Sequence, residues 1–195
     1  MSDITDMSYI FSDTVYDGDI SKWDVSGVTN MSYMFAGSYF NNNSISRWDV
    51  SNVNMMYFMF HNSEFNRDIS QWDVSKVANM HSMFALSKFN SDISDWDVSN
   101  VWDMKYMFTS SQFNKDISKW DVSKVTDMDY MFYKSQFNQD ISAWDVSNVI
   151  NMRMMFAESK FNQDISNWDV QNVQNYFNIF YLGIMRRIYM PMKFR

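Results

Sequence analysis

The 195-residue chain has no cysteine and only four Gly, one Pro and two His. The first absence excludes a disulfide framework, a thiolate zinc site and thiol chemistry, and leaves the redox compartment open. Scarce Gly and Pro exclude a series of tight hairpins, which need residues that supply positive φ or a preset turn, so a meandering β fold is not expected. His61 and His81 fall in different copies of a repeat, which speaks against an imidazole metal site and for solvated surface residues. No apolar stretch approaches the ~20 residues that cross a bilayer. The segment Met1–Met7 has no basic region leading into an apolar run, so no secretory signal is expected.

Basic charge is also short, and it is unevenly placed. Residues 181–195 hold Arg186, Arg187, Lys193 and Arg195 with no acid, while the other 180 residues carry 12 basic and 23 acidic side chains. An acidic body repels phosphate over most of its surface, which argues against nucleic acid as a partner.

What the chain does have is aromatic and thioether bulk, with 17 Phe, 11 Tyr, 8 Trp and 19 Met. That load argues against disorder. It is distributed with a period. Trp-Asp-Val recurs with Trp at 23, 48, 72, 96, 120, 144 and 168, one spacing of 25 residues and then five of 24. A fixed period in this range is the signature of a repeat architecture. A half repeat covers 4–17, and full repeats begin at Ile20, Ile45, Ile69, Ile93, Ile117, Ile141 and Ile165. The division read from this is one domain over 1–180 followed by a basic cap or tail over 181–195.

Within a repeat, Ile-Ser-x-Trp-Asp-Val-Ser alternates apolar and polar residues and predicts a short half-buried strand. Met31, Met34 and Phe35 then sit at i, i+3 and i+4, which predicts one face of a short helix or 3₁₀ turn. Asn or Asp precedes that face in seven of eight copies, as an N-cap would, with Met55 the exception. A return segment carrying Phe40 and its equivalents leads to the next strand. Strand, helix and return predict an α/β repeat: a right-handed solenoid with a parallel β-sheet and about seven 24-residue coils.

Ile20-x-x-Trp23-x-Val25 resembles the strand consensus of leucine-rich repeats. The whole unit, W-D-V-S-x-V-x-x-M-x-x-M-F-x-x-S-x-F-N-x-D-I-S, is similar to an uncharacterised bacterial surface-protein repeat family first catalogued in mycoplasmas. That family is related to BspA-like leucine-rich repeat proteins and also occurs in large DNA viruses. The resemblance covers residues 4–180. It implies a leucine-rich-repeat-like solenoid used in protein–protein contact, surface structure or adhesion, and it implies no enzyme activity, no catalytic residues and no cofactor.

The residues that could carry chemistry reduce to few. Asp24, Asp49, Asp73, Asp97, Asp121, Asp145 and Asp169 recur on the outward side. They are read as turn-holding acceptors for backbone amides and Ser hydroxyls. A run of calcium ions between coils and catalytic carboxylate pairs are the other readings, and nothing marks one repeat as special. A second Asp column precedes each Ile and is read as turn residues. Partner contacts are sought where the copies disagree: at Trp102, at Asn42 and Asn43 in the one-residue insertion, and in the tail at Arg186, Arg187, Lys193 and Arg195.

The tail can cap the last coil or dock onto an acidic neighbour, another copy or a membrane surface. The expected function is a non-enzymatic structural or protein-interaction element, a component of a larger assembly such as a viral capsid or scaffold. A surface adhesin-type module is the alternative. The expected place is intracellular or in a virion, with the cell surface as alternative.

Overall fold

The computed structural model describes residues 3–184 and 189–194. The repeats stack one on the next at an offset of one repeat. Parallel bridges run in a single series, Asp6 to Asn30 to Met55 to Asn79 to Asp103 to Asp127 to Asn151 to Asn175.

The expected α/β solenoid with a parallel β-sheet is not what forms. Among the described residues there is no α-helix and no β-strand, only isolated bridges and short 3₁₀ turns such as Asn43–Ile45 and Met192–Phe194. The leucine-rich-repeat architecture falls with the sheet.

The backbone is instead a chain of four-residue turns. In the first full repeat Trp23 N–H bonds Ile20 C=O at 3.1 Å, Val28 bonds Val25 at 2.9 Å and Met34 bonds Met31 at 3.2 Å. Ala36 then bonds Tyr33 at 3.1 Å and Ser38 bonds Phe35 at 3.2 Å. The alternation read as a strand is therefore two turns, and the apolar face read as a helix is three more. Short Trp/Val spacing meets both descriptions, because a turn returns every second or third side chain to the inside just as a strand does.

Two turns of each repeat carry positive φ at their third residue, the pattern of a type II turn. In the first full repeat these are Tyr33 (φ 59°) and Gly37 (φ 64°), and later repeats place Phe58, Asn62, Ser82, Leu86, Tyr106 and Ser110 there. Low Gly content did not exclude turns. It put bulky residues at left-handed positions, which costs about 1–2 kcal/mol each and persists only because the surroundings fix them.

This alternating backbone aims successive groups in opposite directions. Met31, Tyr33, Phe35 and Gly37 donate to the carbonyls of Met55, Tyr57, Met59 and His61 in the next repeat at 3.0, 3.1, 2.9 and 2.7 Å. In return Asn54 N–H donates to Thr29 C=O at 2.9 Å and Glu64 to Ser38 at 3.1 Å. Each joint between repeats is thus a polar ladder running in both directions.

The interior is a set of aromatic columns. Phe11, Phe35, Phe60, Phe84, Phe108, Phe132, Phe156 and Phe180 stack successively at 5.4–5.8 Å between ring centres. Phe40, Phe65, Phe89, Phe113, Phe137 and Phe161 form a second column at 6.2–6.3 Å. From Trp48 to Trp168 each indole is buried, and its Nε1–H donates to an Ile carbonyl of the preceding repeat at 3.0–3.3 Å. Large rings matched to the repeat spacing bury most of the apolar surface in contact with the same residue one repeat away, so a repeat is stable only beside its neighbours.

Candidate interaction surfaces

The seven outward Asp residues are all exposed, and each accepts the N–H two residues on at 3.0–3.1 Å: Ser26, Ser51, Ser75, Ser99, Ser123, Ser147 and Gln171. Ser26 and Ser51 add hydroxyl bonds to Asp24 and Asp49 at 2.7 and 2.6 Å. The serine hydroxyl first, then the serine amide, hold Asp73, Asp121 and Asp145 below the usual carboxylate range. Each Asp thus caps one turn, starting one residue after it. Among the described residues no three His, Asp or Glu side chains converge as metal ligands would.

The same device occurs at two further points of the repeat. Asp19, Asp68, Asp92, Asp116, Asp140 and Asp164 each accept from the Ser two residues on at 2.8–2.9 Å. The bridge residues Asn30, Asn79, Asp103 and Asp127 accept the N–H two residues on, from Ser32, His81, Lys105 and Asp129, at 2.8–3.0 Å. The capping expected of that last column occurs, but it closes a turn where a helix was expected.

The insertion is absorbed locally. Asn42 Oδ1 accepts Ser44 N–H at 2.9 Å and so caps the 3₁₀ turn Asn43–Ile45, while its Nδ2 donates to Asp17 C=O at 3.1 Å. Asn43 is exposed at the start of that turn. Trp102 is 49% exposed and stacks on no ring among the described residues, held by backbone bonds to Ala78 and Thr126 at 3.0 Å.

In the tail, Lys193 Nζ donates to the carbonyls of Val170, Gln171 and Val173 at 3.2, 3.0 and 2.6 Å. Phe194 meets Tyr176 at 5.3 Å and Phe180 at 6.3 Å, and Ile165 N–H bonds Tyr189 C=O at 3.0 Å. This segment lies over the Trp-bearing half of the last repeat and reaches Tyr176 and Phe180 in its other half. Arg186, Arg187 and Arg195 lie outside the described residues.

Neither the Asp columns nor the insertion brings anchors together, but one surface does. Tyr9 stacks on Tyr33 at 4.5 Å, Tyr33 on Phe58 at 4.6 Å, and Phe58 on His81 at 5.0 Å. The series continues from His81 to Tyr106 at 5.7 Å, from Tyr106 to Tyr130 at 4.8 Å, and ends with the Arg153 guanidinium 5.0 Å above Tyr130.

The ring column is set by the left-handed turn position, which holds Tyr9, Tyr33, Phe58, Tyr106 and Tyr130. Ser82 breaks it, and His81 from the adjacent column fills the gap. His61 and His81 are thus half-buried against Phe58, not solvated as expected, and burial depresses the His61 pKa. Beside the ridge, Asp129 is buried, accepts Arg153 N–H at 2.7 Å and lies 3.5 Å from Arg153 Nε. Burial raises its pKa.

Aromatic and Arg side chains gathered in one place are the composition of a contact surface. The ridge was legible as an aromatic between the two Met positions in M-S-Y-M-F, M-Y-F-M-F, M-K-Y-M-F and M-D-Y-M-F. Reading Met31, Met34 and Phe35 as one face of a helix hid it, since helices packed about 8–10 Å apart would hold the intervening rings out of stacking distance.

Residues 1–88, 61–138 and 109–183 match the family described as Mycoplasma protein of unknown function, DUF285. The chain belongs to the DUF285 family. The three matches overlap along one continuous array, as expected when successive DUF285 segments share the same 24-residue unit. They are to the mycoplasma repeat family itself and extend neither to BspA-like proteins nor to leucine-rich repeats. No curated protein and no solved structure matches this DUF285 chain. Among its described residues no helix is long and apolar enough to cross a membrane.

Proposed function

We propose that this chain is a non-enzymatic structural and protein-interaction element, a component of a larger assembly such as a viral capsid or scaffold. The aromatic ridge carries this reading. Six rings and a guanidinium stack along one surface at 4.5–5.7 Å, a rigid strip of amphipathic groups whose ordering has already been met by folding. The test is cross-linking and mass spectrometry of the chain in its native source, with wild type compared to a Tyr106→Ser, Tyr130→Ser variant. Cross-links from the ridge to another protein, lost in a variant with unchanged far-UV CD, support the reading. Recovery of the chain alone, or a variant that keeps every partner, overturns it.

An adhesin-type binding module at the cell surface is the second reading. It is favoured by the column beside the ridge, where Ser32, Tyr57, His81, Lys105, Asp129 and Arg153 differ in every repeat. Surface labelling of intact cells separates the two.

A further inference from the structure

The two ends of the stack are complementary. At the first end, the carbonyls of Asp6, Ser8, Ile10 and Ser12 occupy the positions whose equivalents, Asn30, Ser32, Met34 and Ala36, accept from Met7, Tyr9, Phe11 and Asp13 at 2.7–3.2 Å. Among the described residues no backbone donor reaches those four first-end carbonyls. At the other end, the N–H groups of Tyr176, Asn178, Phe180 and Leu182 are the equivalents of Met152, Met154, Phe156 and Glu158, which donate forward at 2.7–3.0 Å. These four end donors likewise have no backbone acceptor among the described residues. Four acceptors therefore face out at one end and four donors at the other, with the spacing that every internal joint uses.

The side chains agree with the backbone. Trp23 is 39% exposed and alone among the seven repeat Trp residues donates to no earlier Ile carbonyl. With Ile4, Met7 and Ile10 it lines an open apolar cleft of about 320 Å³. Val15, in the same half repeat, is 82% exposed. At the far end Phe177 and Leu182 are 66% and 71% exposed. Residues 3–24 hold six Asp and one Lys, whereas the tail carries four basic residues and no acid. The described tail segment covers the Trp-bearing half of the last repeat and sets Phe194 against the Tyr176 and Phe180 rings, yet leaves the four donors without a backbone partner among the described residues.

We infer that copies of this chain associate head to tail, the donor row of Tyr176–Leu182 on one copy pairing with the acceptor row of Asp6–Ser12 on the next. The joint repeats the internal ladder and continues the Phe column from Phe180 to the neighbour's Phe11. Such a contact uses two different surfaces of each copy, and because it reproduces the internal joint, which stacks repeat on repeat without closing, it adds further copies in line. This rests on the structural reading above and names the chain itself as one partner.

The experiment is sedimentation velocity on the full chain over a wide concentration range, with two end-blocked variants. Ile10→Lys with Val15→Lys blocks the first end, and Phe177→Asp with Leu182→Asp blocks the second. Asp129 and Asp13 already stand in the columns of 177 and 182, and Lys88 and Lys160 in that of 15, so those changes suit the fold. Far-UV CD and melting confirm that each variant is folded.

The expected result is a wild-type mass that rises with concentration without settling at one oligomer, and two monomeric variants that form a 1:1 pair when mixed. A wild type that stays monomeric at its highest soluble concentration overturns the inference. So does a closed dimer that survives both blocks, or a mixture that gives no pair. Should one variant fail to fold, the wild-type concentration series decides alone. Ridge variants bear on the proposed function only: end-to-end growth without ridge partners, or ridge partners without end-to-end growth, tells the two claims apart.

Discussion

Asn114 donates its backbone N–H to the side-chain oxygen of Asn90 at 2.9 Å, across one joint between repeats. The same bond links Asn41 to Asp17, Asn66 to Asn41, Asn90 to Asn66, Asn138 to Asn114 and Asn162 to Asn138 at 2.8–2.9 Å. This ladder is the side-chain counterpart of the backbone joints. Asn90→Ala removes the acceptor and leaves a half-buried N–H, at an expected cost of about 1–3 kcal/mol, whereas Asn90→Asp keeps an acceptor and most of the stability. Urea unfolding midpoints of the two variants decide this, and equal midpoints refute the ladder's role.

The capping carboxylates give the fold a pH dependence. Hydrogen bonds hold Asp6, Asp19, Asp73, Asp92, Asp116, Asp121 and Asp145 below their ordinary pKa. A carboxyl with a lowered folded pKa stabilises above the unfolded value of about 3.9 and loses that contribution as pH falls through the folded value. Asp129 has the opposite sign. Burial raises its pKa, so its ionised form opposes folding above the raised value and protonation relieves this as pH falls. Seven groups outnumber one, and stability should fall below about pH 4. Asp121→Asn with Asp145→Asn keeps amide oxygens as caps and should flatten the decline in urea midpoint between pH 5 and pH 3.

Leu86 and Gly37 share one left-handed position, with φ of 60° and 64°. Leu86→Gly relieves about 1–2 kcal/mol of backbone strain and loses about 0.5–1 kcal/mol to the greater freedom of the unfolded chain. Because the Leu86 side chain is exposed, a net gain of up to about 1.5 kcal/mol is expected. Gly37→Ala should destabilise, since its new Cβ would strain the backbone and meet the Asp13 carboxylate. Thermal melting of the pair tests the opposite signs.

Phe108 is fully buried between Phe84 at 5.8 Å and Phe132 at 5.7 Å. Phe108→Ala should cost about 3–5 kcal/mol. In an array the loss is felt first at the neighbouring joints. Hydrogen exchange should show amides on either side of residue 108 losing protection before those of the terminal repeats. Uniform loss along the chain would count against nearest-neighbour coupling.

The repeat and its core are legible in the residue order alone. A 24-residue period gives Trp120, Val122, Met128 and Phe132 each an apolar counterpart in the neighbouring repeats, and only the inside of a stack offers every copy the same environment. The caps are legible there too, because Asp or Asn two residues before a Ser amide is a local bond that needs no distant partner.

The element type was not decided locally. Strand, helix and turn all return an apolar residue inward every two to four positions, so Ile20–Val25 and Met31–Phe35 were ambiguous at that scale. Stacking decided between them. Only a backbone that turns at Tyr33 and Gly37 can aim N–H groups forward and carbonyls backward in every repeat, and the cost of a left-handed Tyr is met by ring contacts 24 residues away. The ridge and the two complementary ends have the same origin, since they arise from residues that become neighbours only when one repeat lies on the next.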